Sequence, residues 1–108
     1  MVRFAYELID VFVRHQIDET VNVPSPIVVA SLKPGDRAKV GVEFPPLEVA
    51  NARIVSEHFW VKVVEITPDE FVGQVDNFLV FTDQHGIDRG DVVSFRRKNV
   101  LEVSLRRY

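Results

Sequence analysis

A chain of 108 residues, 46% of them apolar, is long enough to bury one core and too short for two, so a single domain over residues 1–108 is expected. It contains no cysteine, which excludes both a disulfide framework and a thiolate metal site. The net charge of −3 is uneven: residues 1–85 carry 7 basic and 13 acidic side chains, whereas residues 86–108 carry 6 and 3.

Residues 2–16 read as an N-terminal helix. At 100° per residue, Arg3, Glu7, Asp10 and Arg14 share one narrow polar sector, and the apolar residues between Val2 and Val13 fill the rest. That arc is wider than one contact surface needs, so the helix is expected either between two layers or against a second copy of the chain. Glu7 and Asp10 argue against a signal peptide, and no apolar run approaches the roughly 18 residues of a membrane span. A soluble cytoplasmic protein with no membrane partner is the expectation.

Residues 17–26 form a linker, because the polar run and the prolines at 24 and 26 disfavour regular structure. The β-rich body then covers 27–105, with Ile27–Leu32 open between a strand and a helical turn. Lys33-Pro34-Gly35-Asp36 is a tight turn, followed by alternation through Ala38, Val40, Val42 and Phe44. Pro45-Pro46 should end that strand, leaving residues 47–56 as a loop. His58 to Ile66 has apolar residues on both faces and is read as a strand buried on both sides. Thr67-Pro68-Asp69-Glu70 suits a turn into a hairpin partner at Phe71–Asp76, and a further strand is expected at Phe78–Thr82. Leu101, Val103 and Leu105 alternate in the last strand. Leu32–Val40 and Ile87–Phe95 share the form apolar-x-x-Gly-Asp-x-apolar-x-apolar, which reads as common turn chemistry because two copies are too few for a repeat architecture.

The fold class that follows is mainly β: a small antiparallel, partly open barrel or strongly bent sheet with an N-terminal α-helix packed on it. An α+β two-layer sandwich is the alternative.

The residues to test for chemistry are Glu57, His58, Trp60 and His85. A metal site needs three or four ligands in fixed geometry, and no such spacing occurs. Glu57 and His58 are neighbours on a strand, hence on opposite faces, and make a poor acid–base pair. Trp60 combines a donor with a large apolar body and is a binding platform if it is not core. The isolated glycines form no phosphate-cradling loop. Neither catalytic residues nor a cofactor are assigned. Arg89, Arg96, Arg97, Lys98, Arg106 and Arg107 are the candidate nucleic-acid contacts, set against a reading as solvated turn residues.

Five segments carry a family pattern: Lys39–Val42, Glu57-His58-Phe59-Trp60-Val61, Asp69-Glu70, Gly73-Gln74-Val75-Asp76-Asn77, and Gly86-Ile87-Asp88-Arg89-Gly90-Asp91-Val92-Val93-Ser94-Phe95. Over roughly residues 38–103 the chain resembles the small bacterial YegJ-like domains of unknown function. It departs from them where many members close with an acidic residue and Trp, since here Leu101-Glu102-Val103 runs into a basic tail. The resemblance implies a β-rich fold and no particular activity. The leading expectation is a non-catalytic protein-binding or self-assembly module, its partner another copy through the N-terminal helix or a different protein. The alternatives are a nucleic-acid binder using the basic C-terminal segment, and an enzyme with a site at Glu57, His58 or His85.

Overall fold

The computed structural model describes residues 7–105. It is mainly β: an antiparallel sheet curled into a half-barrel, with a short helix near its N-terminal end. In chain order the strands are β1 (Glu7–Leu8), β2 (Arg37–Val49), β3 (Ala52–Ile66), β4 (Phe71–Val75), β5 (Val92–Phe95) and β6 (Glu102–Ser104). The helices are α1 (Val11–Ile17), α2 (Pro26–Ala30) and α3 (Thr82–His85), with a 3-10 turn at Arg97–Asn99. The sheet order is β1-β2-β3-β4-β5, and β6 pairs with β2. Glu7 and Leu8 face Glu43 and Val42, while β6 faces Arg37–Lys39, so β1 and β6 share one edge of β2 in succession.

The core follows from strand alternation. Ala38, Val40 and Val42 of β2 and Phe59, Val61 and Val63 of β3 are at most 1% exposed. They pack with Phe95 of β5, Val29 of α2 and Val100 after the 3-10 turn. Register shifts between Glu43 and Leu47 and between Val63 and Glu65 break the ladders. Such irregularities bend a strand and increase its twist, which is how two long strands fit round so small a core.

Four expectations need correction. The helix does not start at residue 2. Residues 2–6 lie outside the described residues, Glu7–Leu8 is strand, and α1 begins at Val11 because the Asp10 carboxylate accepts the amide protons of Phe12 (3.0 Å) and Val13 (3.2 Å). That is an N-cap, which ends a helix on its N-terminal side. Secondly, residues 47–56 are no loop. β2 resumes after Pro45-Pro46, which sit in the register shift where no ladder N–H is required. It then turns through Ala50 (φ 48°) and Asn51 (φ 68°) into β3.

Thirdly, β3 is not buried on both sides: on the outward face Trp60 is half-buried and Val64 is 47% exposed, and Ile66, turned to the Phe71 side by the register shift, is still 43% exposed at the strand end. Fourthly, Phe78–Thr82 is not a strand but an extended loop leading into α3. Ile27–Leu32 resolves as helix through α2, with Pro26 at its first turn.

The two Gly-Asp segments do share their chemistry. Asp36 Oδ2 accepts the Lys33 amide proton (2.9 Å), and Asp91 Oδ2 that of Asp88 (2.9 Å). Gly35 (φ 98°) and Gly90 (φ 92°) occupy the left-handed position each turn demands. Gly35 N–H donates to Val63 O and Val63 N–H to Asp36 O; Gly90 N–H donates to Val75 O and Val75 N–H to Asp91 O. Each turn therefore hooks the head of one strand onto a neighbour in the same way.

Candidate functional site

Glu57 lies on the core-facing side of β3, opposite Val42. The chain from Asn77 to Ile87 folds over this end of the strand without joining the ladder, so its amide protons need other acceptors. Glu57 supplies them. Its Oε2 accepts the Val80 amide proton at 2.6 Å and its Oε1 that of Phe81 at 2.8 Å. α3 then brings His85 back, and Gly86 (φ 80°) stops the turn in the left-handed conformation.

His85 is completely buried, and the Glu57 side chain is 10% exposed. Ile87 N–H donates to His85 Nδ1 (3.0 Å), which assigns the ring proton to Nε2 and lets Nε2–H donate to Glu57 Oε1 (2.9 Å). Phe44 covers the pair, its ring centre 5.7 Å from those of both Phe81 and His85. Every polar atom of the pair is engaged inside the chain. Three of the roughly four acceptor sites of the carboxylate are taken up in this way, two on Oε1 and one on Oε2. It is built as a latch.

His58 faces the other way, as neighbours on a strand must. Its ring and the Ile9 side chain lie over Gly41, where an added Cβ would come within 2.8 Å of the ring and 2.6 Å of Ile9. Burial, then the nearby charges of Lys39 and Arg14, hold His58 below its ordinary value of 6.5. Arg14 itself is paired with Glu43.

Trp60 is on the same outward face, with the Lys39 ammonium 5.7 Å from its ring centre. Its backbone is clamped, since Trp60 N–H donates to Asn77 Oδ1 (2.7 Å) and Asp76 N–H to Trp60 O (2.9 Å). An open cleft of about 360 Å³ beside it is lined by Arg37, Asp76, Asn77, Arg89 and Ser104. Arg89 also sits over the Phe78 ring, 4.7 Å from its centre.

The six basic candidates do not share one surface. Arg89 belongs to the Trp60 cleft, whereas Arg96 and Lys98 line a second opening of about 410 Å³ between β1 and β5, together with Glu7 and Glu70. Arg97 is on the 3-10 turn, and Arg106 and Arg107 lie outside the described residues. Sequence reasoning did not single out Arg37, Lys62 and Phe78 around Trp60; the signal for the first two was their alternation with core residues along β2 and β3. Among the described residues no group of three or more His, Asp or Glu side chains is placed to hold a metal ion, and no helix is long and apolar enough to cross a membrane.

Apolar side chains stand in solvent on two helices: Phe12 (42%), Val13 (53%) and Ile17 (80%) of α1, with Ile27 (81%) and Val28 (38%) of α2. Both helices rest on the 3-10 turn at Arg97–Asn99. Asn99 Nδ2 donates to Ile9 O at the head of α1 (3.1 Å), and Asn22 Nδ2 donates to Leu101 O (2.5 Å), tying the segment between the helices to the sheet. No protein-family model matches this chain, and neither a curated protein nor a solved structure does.

Proposed function

We propose that this chain is a non-catalytic protein-binding module that self-associates through α1 and α2. The observation that carries the reading is the exposure of five large apolar side chains on two helices flanking one 3-10 turn. At those exposures they offer roughly 500 Å² of apolar surface. A standard interface buries about 800 Å² per partner, some three-fifths of it apolar, so the two helices together expose about the apolar area that one face of a dimer requires. The locked Glu57–His85 pair supports a binding role over a catalytic one. The resemblance to the bacterial YegJ-like domains accords with the β-rich fold and adds no activity of its own.

The test is sedimentation equilibrium over a wide concentration range. The wild-type chain is expected as a dimer or larger, and Ile17→Asp and Ile27→Asp each as a monomer. Both positions are about four-fifths exposed in the protomer, so each variant should keep its fold and lose only the thermal stability that assembly adds, a difference that vanishes on dilution. A wild-type monomer at the highest concentration, or assembly indifferent to both substitutions, would sink the proposal.

A further inference from the structure

The outward face of the sheet around Trp60 combines charge and flat apolar surface in a way the core does not require. The carboxylates beside Trp60 are already held, Asp76 by Arg37 at 2.6 Å and Glu102 by Lys39 at 3.5 Å. Lys62, directly across from Arg37 in the ladder, and Arg89 make no ion pair among the described residues. Lys62 and Arg89 are thus cations that no carboxylate pairs among the described residues, with Asp88 and Asp91 in the same turn as Arg89 engaged by the Arg89 and Asp88 amides. Two aromatic planes accompany them. Trp60 is half-buried with no hydrogen bond from its indole N–H among the described residues, and Phe78 is 77% exposed with Arg89 over its ring.

We infer that this face binds single-stranded nucleic acid, with bases stacking on Trp60 and Phe78 and phosphates held by Lys62 and Arg89. Sequence-tolerant stacking on aromatic side chains beside a basic track is how single strands are held, and a duplex keeps its base planes out of reach. An acidic peptide would use the cations and leave the planes idle. The backbone that carries the planes is held before binding, because Asn77 accepts the Trp60 amide proton and the Glu57 carboxylate those of Val80 and Phe81 beyond Phe78. Such preorganisation lowers the entropic cost of association. No residue of α1 or α2 takes part, so assembly and this activity stand or fall separately.

Trp60 is the only tryptophan, so its fluorescence reports this face directly. A short oligothymidylate should quench it at low salt, and neither oligoglutamate of equal charge nor a blunt duplex should do so. Raising the salt should weaken binding, with a slope that falls by about 0.7 for each of Lys62→Ala and Arg89→Ala. Phe78→Ala should weaken binding by roughly 5- to 150-fold. All three side chains point into solvent, and amide NMR spectra establish that the variants are folded. Absence of quenching at low salt overturns the inference. So does an equal response to oligoglutamate, which would mark an acidic-peptide site, and so does an affinity that survives Phe78→Ala and Arg89→Ala together.

Discussion

Replacing Glu57 by Ala should open the molecule at one place. The carboxylate accepts three hydrogen bonds, and the three donors lose it unequally. Val80 is 79% exposed, so water can replace the carboxylate at its amide. Phe81 is half-buried and recovers only part of that solvation. His85 has no exposed surface and lies beside the Phe44 ring, so its Nε2–H is left without an acceptor. An orphaned buried donor costs about 1–3 kcal/mol and each bond to a charged acceptor is worth about 1.5–3 kcal/mol, so a loss of about 3 kcal/mol is expected. Set against a total of about 5–15 kcal/mol for a small domain, that is large. Glu57→Gln should cost less, about 2 kcal/mol, because one oxygen remains while the amide group confronts a donor. Urea unfolding gives the totals, and hydrogen exchange should show the amides of Val80, Phe81 and Ile87 losing protection first. A cost for Glu57→Ala below about 1 kcal/mol, or unchanged protection at those amides, would refute the latch.

Further outcomes follow from local geometry. The folded His58 takes up its proton at a lower pH than the unfolded one, so unfolding binds protons and stability should fall as pH drops below about 6.5. His58→Gln should flatten that part of the urea-midpoint profile, and Lys39→Met should raise the NMR-titrated pKa of His58. At the β2–β3 turn, Ala50 holds φ 48°, a region that Asn tolerates better, and Ala50→Asn should raise stability by about 0.5–1 kcal/mol in thermal unfolding. Gly73→Ala would place a Cβ 2.9 Å from the Val61 Cβ and Cγ2 and 3.1 Å from Phe95 Cε1, and should cost about 1–3 kcal/mol by the same measurement.

Most of the strand pattern was legible because alternation survives folding whenever one face is buried. Ala38 to Phe44 and Phe59 to Val63 keep their period, and Thr67–Glu70 forms the turn its sequence suits, with Thr67 N–H donating to Glu70 O (2.9 Å). The errors arose where two signals competed. The stripe of Arg3, Glu7, Asp10 and Arg14 has helical spacing, yet Asp10 is also a strong capping residue, and the cap prevailed. Pro45-Pro46 ended the strand on paper because proline cannot donate to a ladder, but a register shift removes that requirement. The second apolar set on β3 was read as buried because hydropathy cannot tell an uncovered aromatic or branched residue from a covered one. Trp60 and Val64 lie on the outward side, and Ile66, returned to the Phe71 side by the register shift, stands 43% exposed at the strand end.

The candidate site was half visible for a reason that bears on its role. Adjacency correctly separates Glu57 from His58, but the histidine that meets Glu57 is 28 residues away and no local spacing announces it. The segment Phe78-Leu79-Val80-Phe81 reads as a strand because it alternates, and it does alternate: Leu79 and Phe81 turn inward while Phe78 and Val80 stand 77% and 79% exposed. What it lacks is a neighbouring strand to accept its amide protons, and the Glu57 carboxylate takes that place for two of them. A buried carboxylate and a fully enclosed histidine are a costly way to hold a loop whose outward side chains add nothing to the core. The expense is intelligible if what matters is the fixed position of the outward side chains themselves, because a rigid apolar tip binds without first having to be ordered. On that argument Glu57→Ala should weaken oligothymidylate binding although the carboxylate touches no ligand, and restoring an acceptor with Gln should recover part of it. A variant that loosens the loop yet binds at full strength would separate the latch from the aromatic face and leave the latch a matter of stability alone.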